Sequence, residues 1–249
     1  MEEADSCMER HRHSSNPRKF PWRPWEVESV AQVIVEDLKR DTVLTVDQFR
    51  RRHGLQRDLV RAACKVPGTG IGYLTAWVHP QANSERRIRV ELMHLGDLPR
   101  PSTIPHLLGI AEMRTALAND LRVWSPQYHD PRRYRVRFGY PDVLGQDMNG
   151  ELVAVEYDAG KYTREYIVAK DHQLRAPATR RIWGTPGLRR AISIARLLPH
   201  AEVWQVSWET GTHVLVQRDG RLMLQVAADQ GELPSEVSAP ASSSGAREP

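Results

Sequence analysis

Three carboxylates in the second half of the chain, Asp142, Glu156 and Asp158, are spaced so that one β-hairpin could gather them. The run Tyr140-Pro141-Asp142-Val143-Leu144 leads into a polar turn, Gln146-Asp147-Met148-Asn149-Gly150, whose Asn-Gly pair is a strong hairpin signal. The returning stretch 152–158 has a period of two. Val153, Val155 and Tyr157 take one face, and Ala154, Glu156 and Asp158 the other. Asp142 then sits on one arm, Glu156 and Asp158 on its neighbour. Carboxylates held within a few ångströms repel, and a divalent cation relieves that repulsion. Mg2+ takes a couple of carboxylates and completes its shell with water and phosphate oxygens. Such a centre can activate water against a phosphoryl group. Each piece alone reads more plainly: Pro-Asp marks turns, Glu-x-Asp is usually a solvated strand face, and Glu112 by itself is a helix-surface residue.

In this order the pieces resemble the PD-(D/E)XK nuclease core. The resemblance implies Mg2+ or Mn2+ as cofactor, with Asp142, Glu156 and Asp158 as metal ligands. It implies a helical acid ahead of the Pro-Asp pair, a place Glu112 fits, and a lysine two residues after the second acid. Asp158 occupies that last position instead. Two lysines are candidate substitutes. Lys161 follows at a turn. Lys170 belongs to a helical stripe with Tyr162, Tyr166 and Gln173, and is preferred because a helix fixes its side chain better. The departure keeps open a domain that binds DNA without cutting it. More specifically, three pieces are similar to the plasmid replication-relaxation family of bacterial mobile elements: an N-terminal helix-turn-helix, the helix HLLGIAEMRTAL, and the run PDVL…LVAVEYDAGKYTREYIVAKDHQL. This similarity spans most of residues 30–210 and implies DNA as the partner, in plasmid replication or processing.

The elements around these residues predict an α/β protein of two domains. Val27, Val30, Ala31, Ile34, Val35 and Leu38 recur at helical spacing. A second helix starts at Thr45, with Gln48 placed for a capping box, and stops at Gly54; a third begins near Gln56. Two strand-like runs follow, 73–79 and 87–95. Three helices and a hairpin make the outline of a winged helix-turn-helix. Arg57, Arg61 and Lys65 would form one basic edge of its third helix, and Arg86 and Arg87 the hairpin tip, both suited to DNA. A wing that docks protein is the rival reading. The sequence divides into a disordered tail (1–21), the winged helix (22–98), a Pro-rich linker (99–105), a PD-(D/E)XK restriction-endonuclease-like α/β domain (106–230) and a second disordered tail (231–249). Within the α/β domain we expect a helix over 106–121, strands at 133–138 and 152–158, and strand-helix-strand alternation thereafter. Trp204 and Trp208 read as core.

Composition narrows the remaining classes. The chain has 249 residues, 27% charged and 40% hydrophobic, with a net charge of +4, the balance of a globular protein. Arginines cluster at 50–52, 86–89, 132–137, 180–181 and 189–190, and guanidinium suits phosphate. No apolar run approaches ~18 residues, so no membrane partner is expected. Two cysteines, Cys7 and Cys64, staple nothing, and a cytoplasmic setting is expected. There is no P-loop; Gly68-Thr69-Gly70-Ile71-Gly72 reads as a turn into the hairpin. Tyr162 and Tyr166 read as packing or water-ordering groups rather than nucleophiles. A homodimer or a protein partner in a DNA-processing complex is compatible with all of this.

Overall fold

The computed structural model describes residues 21–81, 83–127 and 140–226. Among them are six helices and two sheets, a mixed α/β architecture. The first half runs α1 (Pro24–Asp41), β1 (Val43–Thr45), α2 (Val46–His53), α3 (Arg57–Ala63), β2 (Ile71–Val78) and β3 (Ile88–Leu95), with an antiparallel sheet ordered β1-β3-β2. The capping box at Thr45 forms: its hydroxyl accepts from the Gln48 N–H (2.9 Å), and the Gln48 side chain accepts from the Thr45 N–H (3.1 Å). Gly54 ends α2 in the left-handed conformation. Helix α3 stops at Ala63, so Lys65 lies beyond the helix that carries Arg57 and Arg61.

The second half runs α4 (Ile104–Ala116), β4 (Leu121–Pro126), β5 (Val143–Asp147), β6 (Leu152–Tyr157), α5 (Arg164–Leu174), β7 (Arg180–Thr185), α6 (Leu188–Leu197), β8 (Glu202–Ser207), β9 (Thr212–Arg218) and β10 (Arg221–Val226). Its seven strands form one sheet in the reverse of sequence order, parallel over β6-β7-β8 and antiparallel elsewhere. α4 covers one face, contributing Ile110 and Met113 to a core with Val143, Val155, Tyr157 and Ile182. α5 and α6 cover the other, around Ile167, Trp183, Ala191 and Ile194. Trp204 and Trp208 are buried, as the sequence predicts.

Two differences from expectation have local causes. The helix predicted over 106–121 spans Ile104–Ala116. Pro105 sits in its first turn, where a missing N–H costs nothing, and the turn-forming Asn119-Asp120 pair releases Leu121 to open β4. The strand predicted at 133–138 lies outside the described residues.

α4 also belongs to the first half. Ala111 packs with Ile34, Leu38 and Phe49, while Ile104, Leu107 and Leu108 pack with Val43, Val78 and Leu92. Its close seat on the sheet depends on Gly109: a Cβ there would lie 1.9 Å from the Tyr157 ring. Buried ion pairs tie the same elements together. Arg52 of α2 and Arg114 of α4 both bond Asp37 and Asp41 of α1 at 2.6–2.9 Å.

Candidate active site

The β5–β6 hairpin brings Asp142 and Glu156 together. Val143 pairs with Val155, which sets the residue before one arm beside the residue after it on the other. The Asp142 N–H donates to Glu156 Oε2 (3.2 Å), and the Tyr157 N–H donates to Asp142 Oδ2 (2.8 Å). The second Asp142 oxygen faces His106 Nε2 at 3.1 Å, a residue of the first turn of α4. The second Glu156 oxygen is 2.9 Å from Lys170 Nζ and accepts from the Tyr162 hydroxyl at 3.1 Å. Four elements therefore converge: the hairpin, α4, α5 and the loop before α5. Glu156 is 0% exposed.

The electrostatics follow from that burial. Desolvation raises the proton affinity of Glu156, the neighbouring charge on Asp142 raises it further, and Lys170 and His106 pull only part of it back, leaving a pKa of about 7. Desolvation opposes the charge on Asp142 as well, but His106, Lys170 and the Tyr157 N–H outweigh it and hold that carboxyl below its usual range. Burial disfavours the cations of His106 and Lys170, yet the two carboxylates overcome it and raise both. Burial and the two acids push the Tyr162 phenol up, so it stays a donor. Two acids and two basic groups thus offset one another in a buried cluster, and Glu156 keeps its proton up to about pH 7.

The other residues singled out from sequence sit elsewhere. Asp158 does not face this pair. One oxygen accepts from the N–H groups of Gly160, Lys161 and Tyr162 (2.8–3.2 Å), and the other is held by Arg190 of α6 (2.7 Å). It shapes the loop that presents Tyr162, which corrects its assignment as a metal ligand beside Asp142 and Glu156. Glu112 is also turned away: it bonds Gln48 (2.8 Å) and His213 (2.9 Å), with Arg51 at 3.4 Å. It lies six residues along α4 from His106, a rotation of about 240°, so one helix cannot aim both at the same point. Of the two lysines, Lys170 reaches Glu156, whereas Lys161 Nζ donates to the Ser102 carbonyl (3.1 Å). The α4 residue that bonds Asp142 is His106 rather than Glu112; its place in the first turn of α4, ahead of the Pro-Asp pair, was the signal available.

Among the described residues, no three His, Cys, Asp or Glu side chains are grouped to hold a metal. Asp142 and Glu156 remain a pair of adjacent carboxylates, which is what Mg2+ ordinarily takes from a protein.

The basic residues expected to meet DNA are largely partnered. Arg57 pairs with Asp47. Arg61 makes two bonds to Glu91 (2.9 and 3.0 Å) and one to Asp58. Arg86 pairs with Glu209 of the second half, and Arg87 bonds His79 (3.2 Å). Lys65 is exposed. No described helix is long and apolar enough to cross a membrane.

No curated protein and no solved structure matches the chain. The family model described as replication-relaxation matches residues 10–184, well over half of the sequence and inclusive of Asp142, Glu156 and Lys170. The chain belongs to the replication-relaxation family.

Proposed function

We propose that this protein binds DNA in plasmid replication or relaxation through a winged helix-turn-helix, and that its second half is a PD-(D/E)XK-type domain that hydrolyses phosphodiesters. The observation that carries the reading is the convergence of Asp142, Glu156 and Lys170, with Lys170 Nζ 2.9 Å from Glu156 and the Asp142 N–H on the same carboxylate. The order helix, three-strand meander, helix, parallel strand over α4 to β7 supports it. The order α1-β1-α2-α3-β2-β3 supports the winged helix.

Asp142 and Glu156 would hold Mg2+ or Mn2+. The metal would supply charge for the phosphate oxygens and lower the pKa of a bound water. Lys170 would orient that water and balance the charge on Glu156. His106, 3.1 Å from Asp142, is placed to hold or release a proton beside it. Tyr162 would fix the Glu156 oxygen it bonds.

Incubating supercoiled plasmid with the protein and Mg2+ or Mn2+ tests this. Nicking by the wild type and none by Asp142→Ala is expected; equal nicking by both defeats the catalytic reading. A second reading, a DNA-binding factor that does not cut, is favoured by the closed state of Glu156, whose oxygens are already satisfied by Lys170, Tyr162 and the Asp142 N–H. Salt-sensitive DNA binding without cleavage selects it.

A further inference from the structure

A second concavity lies on the opposite side of α4. It is a cleft of about 1060 Å³ between the end of α2, the C-terminal half of α4, β4 and the start of β9. Arg40, Arg51, Arg52, Arg114 and Arg122 line it, against one lining carboxylate among the described residues, Glu112. Resting on the reading that the chain binds DNA, we propose that this cleft holds single-stranded DNA, with phosphates on Arg51 and Arg122 and a base against Trp124.

The partners of each group decide which cations are available. Arg52 and Arg114 are committed to Asp37 and Asp41. Glu112 is committed to Gln48 and His213, with a longer contact of 3.4 Å to Arg51. Arg51 shares one terminal nitrogen between the Trp208 carbonyl (2.9 Å) and Glu112 (3.4 Å), and its Nε is buried without an acceptor among the described residues. Arg122 is exposed, and among the described residues it has a single long contact, 3.4 Å to Gln146. Trp124, also in the cleft wall, has a buried Nε1 without an acceptor among the described residues. Both nitrogens are closed to solvent as they stand, so the exposed Arg122 guanidinium is the cation a strand would meet first. A phosphodiester strand is rich in acceptors, and guanidinium matches its geometry.

The lining also separates strand from duplex. Val123 and Trp124 give the cleft an apolar wall beside the arginines. A single strand offers base faces together with its backbone, and stacking plus a basic groove is how such strands are held. A duplex hides those faces. The volume is at the top of the range for small-molecule pockets, roughly 300–1,000 Å³, which favours a polymer over one small anion. Arg122 differs in this from Arg57, Arg61 and Arg86, which already have acidic partners.

Fluorescence anisotropy with the full chain, a labelled oligo-dT strand and a duplex of equal length tests this. The single strand should bind more tightly than the duplex. Arg122→Ala, which removes only an exposed side chain, should weaken binding about tenfold and reduce the salt slope by about 0.7. Trp124→Ala should weaken it between about fivefold and a hundredfold, and Trp124→Phe should restore most of it. If the wild type binds neither nucleic acid, the DNA-binding reading falls and this proposal with it. If the duplex binds better, or Arg122→Ala leaves affinity and salt slope unchanged while Arg57→Ala with Lys65→Ala abolishes binding, the cleft proposal alone falls.

Discussion

Replacing Lys170 by Met keeps a long apolar stem and deletes the cation beside Glu156. The cost should depend on pH in a calculable way. The folded pKa of Glu156, about 7, lies above its ordinary value near 4.5. The folded state therefore takes up a proton that the unfolded state releases, and this group makes stability fall as pH rises from 4.5 to 7. Above 7 the wild-type carboxylate ionises beside Lys170 and the fall levels off. Without Lys170 the folded pKa moves higher, and the fall continues at about 1.4 kcal/mol per pH unit. Near pH 6, where Glu156 is protonated in both proteins, the variant loses one hydrogen bond, about 1 kcal/mol. Near pH 9 it loses roughly 4 kcal/mol, within the ~3–5 kcal/mol seen when one partner of a buried pair is removed. Urea unfolding of both proteins at the two pH values measures the difference. A loss that is the same at pH 6 and pH 9 would refute the claim that Lys170 is what permits Glu156 to ionise.

Two further substitutions test the frame around the site. Gly109→Ala would place a methyl 1.9 Å from the Tyr157 ring, forcing α4 off β6 at a cost of about 1–3 kcal/mol; a melting temperature equal to wild type would show that α4 is not so tightly seated. Asp41→Asn removes a fully buried charge bonded by Arg52 (2.7 Å) and Arg114 (2.6 Å). It should cost about 3–5 kcal/mol, and a urea midpoint shift equivalent to less than ~1 kcal/mol would contradict the pairing.

Most of the hairpin geometry was legible because it is local. A period of two and an Asn-Gly turn were enough to put Asp142 opposite Glu156, and a helical stripe was enough to prefer Lys170 over Lys161. The misplaced residues are those whose direction is set by other elements. Alternation gives Asp158 the face of Glu156, but the strand ends at Tyr157, and the loop N–H groups and Arg190 then decide where that carboxylate turns. Glu112 is in the middle of a helix buried nearly all round. Periodicity does not say which of two neighbours such a helix points each polar residue towards, and the answer depends on Gln48 and His213, 64 residues before it and 101 after it. The same holds for the basic edge of α3: Arg57 and Arg61 stand where the pattern put them, but Asp47 and Glu91, brought from α2 and β3, take up their charge.

The position of α4 bears on where the chain can be divided. Composition suggests a Pro-rich linker at 99–105, yet Ile104 and Pro105 already belong to the helix. Its residues fill two cores of the first half, with Ala111 against Phe49 and Leu108 near Leu92, and its Arg114 closes the ion pairs of Asp37 and Asp41. A fragment of residues 22–98 would expose the apolar surface that α4 covers and lose one of the two arginines facing a fully buried aspartate. It should unfold without a sharp transition, or at a temperature well below that of the full chain. A cooperative fragment with the melting temperature of the full chain would show that the two halves are independent. The same helix reaches the acids through His106 and the arginine cleft through Glu112, about 9 Å apart along its axis. A shift of the first half on the sheet would therefore move His106 and Glu112 together, because both stand on that one helix.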